Sequence, residues 1–155
     1  APGLTRSFTI EKWSFADIKM MDRIRNEAKA AYKPELIHDI SGSDISPEAL
    51  ELARRHIAQA GFEGKIKVWQ ADLRQLTLEN SAVCFILNPP YGERMSDKKS
   101  CEQLYRELHE MKNRHPNSRL CVISSHPGFE RAYGGRAVQK RRLYNGRLEC
   151  EYLIY

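Results

Sequence analysis

Asn88-Pro89-Pro90-Tyr91 is the stretch of this chain whose residue types and order best fit a chemical reaction. Two consecutive prolines remove two backbone donors and fix φ, which leaves rigid, outward-pointing carbonyls. An exocyclic amine on a nucleobase is a poor nucleophile, because its lone pair is conjugated with the ring. If the Asn88 side-chain oxygen and the Pro89 carbonyl each accept one N–H, the nitrogen is pulled toward tetrahedral geometry. Its lone pair can then aim at an electrophile such as a methyl sulfonium. Tyr91 can stack on the extruded base and hold it in plane. No strong general base is required, since the nitrogen becomes acidic only as it acquires the methyl group. The same four residues could form a rigid turn or a polyproline recognition segment. Those usually lie in exposed proline-rich tracts, whereas this motif directly follows the apolar run Ala82 to Leu87.

Two acids complete the constellation. Asp44, in Gly42-Ser43-Asp44-Ile45, can accept hydrogen bonds from both hydroxyls of a ribose, or can simply shield the start of the following helix. Asp72, in Ala71-Asp72-Leu73, can take the amino group of an adenine while Leu73 or Ile45 offers the ring an apolar face; alternatively it caps a turn. Arg94, Lys140, Arg141 and Arg142 are cations that could reach phosphates near such a site, the run 140–142 foremost. The five histidines show no metal-ligand spacing and are given no catalytic role.

The elements that must position these groups follow from periodicity. Phe15, Ile18, Met21, Ile24, Ala28 and Ala31 recur at helical spacing until Pro34. Leu36 to Asp44 reads as a strand. Ser46-Pro47-Glu48 then reads as an N-cap, a first-turn proline and a dipole-favoured acid opening a helix that Gly61 stops. Lys65 to Ala71 alternates like a peripheral strand, and Ala82 to Leu87 reads as a central strand buried on both faces. Cys101, Leu104, Tyr105, Leu108 and Met111 predict a helix ending before Pro116, and Leu120 to Ile123 another apolar strand. Asn145-Gly146 between two strand-like runs predicts a hairpin. The order implies an α/β fold with a mostly parallel sheet and a C-terminal antiparallel hairpin. In such a sheet ligands collect beyond the carboxyl ends of the strands, so Asp44, Asp72 and Asn88 are expected to face one crevice.

At 155 residues the chain fits a single domain. Its formal net charge of +5 mildly favours a polyanionic partner. The four cysteines form no C-x-x-C pair, as expected of reduced thiols, and neither a signal segment nor a bilayer-length apolar run is present. A cytoplasmic protein without metal or membrane is expected.

These residues together resemble the RNA methylases that carry an RNA-binding THUMP domain upstream, in particular the large-subunit ribosomal RNA guanine-N2 methyltransferases. The likeness runs through Ala1-Pro2-Gly3-Leu4, Phe8 to Trp13, Gly42 to Ile45, Asn88 to Arg94 and Leu143 to Gly146. It implies a Rossmann-like class I methyltransferase fold using S-adenosyl-L-methionine, with Asp44 on the cofactor ribose, Asp72 on its adenine and Asn88 to Tyr91 at the target amine. It also implies a glycine-rich cofactor loop following a first strand, both of which would lie just upstream of Ala1. Residues 1–155 are therefore expected to form one N-terminally truncated catalytic domain. Methylation of an exocyclic base amine in RNA, guanine N2 of ribosomal RNA above all, is the expected activity. A DNA adenine-N6 or cytosine-N4 methyltransferase, and a non-catalytic RNA-binding fragment, are the alternatives.

Overall fold

Asp17 opens the first helix, α1 (Ile18–Ala30), by accepting a hydrogen bond from the Met20 amide at 2.9 Å. The computed structural model to which this helix belongs describes residues 2–4, 6–33, 35, 39–79, 82–92 and 95–155. They fall into two compact units, Ala1–Gln70 and Ala71–Tyr155.

In the first unit α1 is followed by strand β1 (Ser41–Asp44), helix α2 (Pro47–Gln59) and strand β2 (Lys67–Gln70). The start of α2 is the predicted one: Ser46 Oγ accepts from the Ala49 amide at 3.1 Å, and Pro47 takes the first helical position. β1 and β2 pair in parallel from Ser41 opposite Lys67 to Asp44 opposite Gln70. Residues 36–38 of the predicted strand lie outside the described residues. The core of this unit is thin. Leu50 on α2 is buried, whereas no residue of α1 is, and Ile18 and Ile24 of its apolar stripe remain about half exposed.

The second unit contains a 3₁₀ turn (Leu73–Gln75), then β3 (Cys84–Leu87), α3 (Met95–Arg114), β4 (Arg119–Ser124), α4 (Phe129–Tyr133), β5 (Gln139–Asn145) and β6 (Leu148–Ile154). Its sheet runs β3-β4-β6-β5, with β3 and β4 parallel and the other pairs antiparallel. On α3, Cys101, Tyr105, Leu108 and Met111 form the predicted stripe, each at most 3 % exposed. The stripe packs with Phe85, Leu120, Val122, Phe129, Tyr133 and Leu153 into one cluster. Each such fully buried apolar side chain contributes roughly 1.5–3 kcal/mol relative to exposure. Parallel pairs and a C-terminal antiparallel hairpin thus make the expected α/β architecture.

Two features of the elements differ from expectation. β4, not β3, is the strand buried on both faces, with Leu120, Cys121, Val122 and Ser124 all inside, and among the described residues β4 has a hydrogen-bonded neighbour on each side whereas β3 pairs with β4 alone. Along β3 burial alternates, with Phe85 inside and Ile86 77 % exposed. α4 has no counterpart in the sequence pattern; five residues bracketed by Gly128 and Gly134 are too few to show a helical period. Among the described residues no helix is long and apolar enough to cross a membrane, and no group of three or more His, Cys, Asp or Glu could hold a metal ion.

Candidate active site

β3 ends at Leu87, so Asn88-Pro89-Pro90-Tyr91 leaves the carboxyl end of a strand, as the sequence pattern predicts. The segment is anchored at two points. The Tyr105 hydroxyl, from the buried stripe of α3, donates to the Pro90 carbonyl at 2.6 Å. Two residues further on, Gly92 is buried at φ +69°, and a Cβ there would lie 3.0 Å from the Lys98 Cα and 3.1 Å from its nitrogen. Only glycine lets the chain turn this tightly against the first turn of α3.

Tyr91 is folded back rather than extended. Its hydroxyl donates to Asn88 Oδ1, and its phenol also lies within reach of the Asn145 and Cys150 side chains. Removal from water is the main cause holding the Tyr91 phenol above its ordinary pKa, so it remains a neutral donor. A carbonyl oxygen has two lone pairs, so one Asn88 Oδ1 site is taken by Tyr91 and one is left for an incoming N–H. The same bond fixes which end of the carboxamide is the acceptor.

Asp72 sits at the N-cap of the 3₁₀ turn, its Oδ1 accepting from the Arg74 amide at 2.9 Å. Arg74 Nε also reaches Oδ1 and Oδ2, at 2.9 and 3.0 Å, and Nη2 closes on Oδ2. Hydrogen bonding from Arg74, side chain first and then backbone, lowers the Asp72 pKa to about 2. The geometry bears on both roles open to Asp72. The capping bond is present, and an adenine amine would have to share oxygens already held by Arg74. Leu73 is half-buried against the core cluster, with its carbonyl accepting from Arg114 Nη2 at 2.9 Å.

Asp44 and Ile45 belong to the first unit. Asp44 Oδ1 accepts from the Ser46 amide at 2.8 Å, which engages one oxygen of an exposed carboxylate at the end of β1. Ile45 is 60 % exposed, and its carbonyl accepts from Gln70 Nε2 at 2.9 Å.

The predicted basic run divides. Lys140 pairs with Glu130, and Arg142 Nε lies 3.1 Å from Glu149 Oε1. Arg141 instead lines a shallow groove of about 470 Å³ with Gln139, Lys140, Tyr152 and Ile154, opposite Tyr152 in register. Arg94 lies outside the described residues. Three residues at the site are given no site role by the sequence: Arg74, Gly92, which is only part of the stretch that carries the resemblance, and Tyr105, which counts as one more core position. The signal for Tyr105 is nevertheless present, since a tyrosine in a buried stripe needs a partner for its hydroxyl.

Comparison with known proteins decides the family. A model of the RMKL-like methyltransferase domain matches residues 1–154. The chain belongs to this methyltransferase family. Among its relatives, the ribosomal RNA large subunit methyltransferase K/L of Allochromatium vinosum is 31 % identical over 161 residues, spanning all of this chain and 22 % of that protein. The crystal structure of SMU.472 in complex with SAH is 33 % identical with a TM-score of 0.88, covering all of this chain and 41 % of that one. A predicted N6-adenine-specific DNA methylase from Listeria monocytogenes is 31 % identical with a TM-score of 0.86, covering all of this chain and 40 % of that one. Curated relatives are thus much longer, this RMKL-like domain spanning 21–40 % of their length.

Proposed function

We propose that this chain carries the methyl-transfer site of an S-adenosyl-L-methionine-dependent enzyme that methylates an exocyclic base amine in RNA, with guanine N2 of large-subunit ribosomal RNA as the target. One observation carries the reading. At the end of β3 a doubly proline-locked segment presents Asn88 Oδ1, oriented by the Tyr91 hydroxyl, beside two backbone carbonyls that have no competing N–H on the prolines.

The SAH complex of SMU.472 supports the cofactor, whose sulfonium supplies an electrophilic methyl group when bound. On this reading Asp44 takes its ribose and Ile45 faces its adenine. Leu73 offers a second apolar face, and Asp72 takes the adenine amine by sharing an oxygen with Arg74. Asn88 Oδ1 and the Pro89 carbonyl accept the two N–H bonds of the target amine and turn its lone pair outward. The Tyr91 ring stacks on the base while its hydroxyl stays on Asn88 Oδ1, Arg94 and Arg141 hold phosphates, and Lys140 and Arg142 join them by releasing Glu130 and Glu149. Part of the domain lies outside residues 1–155 in this reading, which the open edge of β3 and the exposed Ile86 support. Recruitment of RNA by a THUMP domain, in the cytoplasm, belongs to the same proposal.

Asn88→Ala in the intact enzyme tests the assignment. Loss of an acceptor that acts on the amine in the transition state lowers turnover at least about a hundredfold while cofactor affinity changes little. Near-normal turnover would remove Asn88 from the reaction. A second reading, a DNA adenine-N6 methyltransferase, is favoured by the Listeria monocytogenes relative and uses the same amine chemistry.

A further inference from the structure

We infer that Tyr105 is a positioning residue for methyl transfer, its hydroxyl clamping the Pro90 carbonyl so that the Asn88-to-Tyr91 segment holds the geometry in which the amine is bound. The inference rests on the proposed reading of that segment. Pro89 and Pro90 have φ fixed by their rings and no N–H to donate, so these two residues cannot be held by backbone donors of their own. What remains soft is ψ. The Tyr105 bond at 2.6 Å takes up that freedom at Pro90, immediately after the Pro89 carbonyl proposed to accept the amine. The close approach of Gly92 to Lys98 secures the chain beyond it.

The clamp is rigid on its other side. Tyr105 is 0 % exposed, and its ring packs at 4.4 Å from Phe129 and edge-on at 5.4 Å from His126. Re-aiming the ring would open a void in the core cluster. The Ser124 hydroxyl also hydrogen-bonds the Tyr105 phenol, and accepts from the His126 amide at 3.1 Å, which sets the phenol's direction. Burial holds the phenol protonated, its pKa raised to about 12, so it donates at every working pH. A phenylalanine would fill the same core space, so packing by itself does not require the hydroxyl. What the hydroxyl adds is the tie from the core to the reaction segment.

Tyr105→Phe keeps the ring and removes that tie, together with the bond from Ser124. In the intact enzyme, with an unmodified transcript of large-subunit ribosomal RNA, kcat is expected to fall roughly tenfold to a hundredfold, in line with displacing a reacting group by about 1 Å. KM for cofactor and RNA should stay within about twofold. Leu108→Val, a core change on the same helix, should lower thermal stability without lowering kcat. Asn88→Ala is run alongside. If Asn88→Ala abolishes transfer and Tyr105→Phe leaves kcat within twofold of the unsubstituted enzyme, Tyr105 is a satisfied core tyrosine and the inference falls. If Leu108→Val lowers kcat as much as Tyr105→Phe does, general loosening explains the effect and the inference also falls. If Asn88→Ala has no effect, or the RNA is not methylated at all, the reading of the segment fails and takes the clamp with it.

Discussion

Replacing Gly92 with alanine should both weaken the second unit and slow the reaction, and the size of each effect follows from the local geometry. The residue sits at φ +69°, where a Cβ costs roughly 1–2 kcal/mol in left-handed backbone. That Cβ would lie 3.0 and 3.1 Å from backbone atoms of Lys98, well inside ordinary carbon contact. Helix backbone cannot swing aside as a side-chain tip can, so overpacking adds about 1–3 kcal/mol unless the loop shifts away. The total, about 2–5 kcal/mol, is a large share of the roughly 5–15 kcal/mol that holds a domain together. Gly134, the left-handed C-cap of α4 at φ +88°, supplies the control, since a Cβ there meets nothing within 4 Å. Gly134→Ala should therefore cost only the backbone share. Urea denaturation of the two variants measures the difference, and methyl transfer by Gly92→Ala measures how far a shifted loop misplaces Asn88. Equal destabilisation by the two substitutions would refute the close approach to α3, and a stable Gly92→Ala with undiminished turnover would refute its role in holding the site.

Three further expectations concern single groups. Asp44→Asn keeps an oxygen for the Ser46 amide but removes the charge, so cofactor affinity measured by calorimetry should fall by roughly 1.5–3 kcal/mol for each charge-assisted hydrogen bond to the ribose that the substitution removes; unchanged affinity would leave Asp44 as a helix-start residue only. Tyr91→Phe loses the bond that orients Asn88, worth about 1 kcal/mol, so turnover should drop about fivefold, whereas Tyr91→Ala, which also removes the stacking ring, should be severe; equal damage by both would mean that the hydroxyl, not the ring, carries the function. Asp72, with its pKa lowered to about 2 by Arg74, favours the folded state above the ordinary carboxylate pKa, and that contribution disappears as pH falls from about 4 toward 2; in Arg74→Ala, which keeps the backbone N–H, the carboxyl should titrate higher by NMR but still below its ordinary value, and a midpoint still near 2 would show that the Arg74 side chain is not the main cause.

Much of this molecule is readable from residue order alone, for physical reasons that differ between elements. α2 announces itself through Ser46 and Pro47 because capping is a local interaction, settled within three residues. The hairpin is announced by Asn145-Gly146 for the same reason, and the structure closes it as a two-residue Gly146-Arg147 turn with Gly146 at φ +64°. Asn88-Pro89-Pro90-Tyr91 stands out because two prolines after an apolar strand restrict the backbone so strongly. What could not be read are the non-local pairings. Periodicity places Tyr105 in the core but says nothing of the Pro90 carbonyl fifteen positions away in the chain. Composition makes β3 look central, whereas centrality depends on which strands pair, and β4 has the two neighbours. Asp72 reads as a ligand-binding acid as easily as a cap, and only the geometry shows Arg74 on both its oxygens. Lys140 and Arg142 count as two free cations in the sequence, yet each faces a carboxylate of the same fold.

The central claim is tested most directly by the product itself. The intact enzyme is incubated with tritium-labelled S-adenosyl-L-methionine and, in parallel, an unmodified large-subunit ribosomal RNA transcript and duplex DNA, and the labelled nucleoside is identified after digestion. Label recovered as N2-methylguanosine from the RNA, with little in the DNA and none in the Asn88→Ala enzyme, is the expected result. Label recovered chiefly as N6-methyladenine or N4-methylcytosine from the DNA, or transferred to a ring carbon or a hydroxyl rather than to an exocyclic nitrogen, would contradict it.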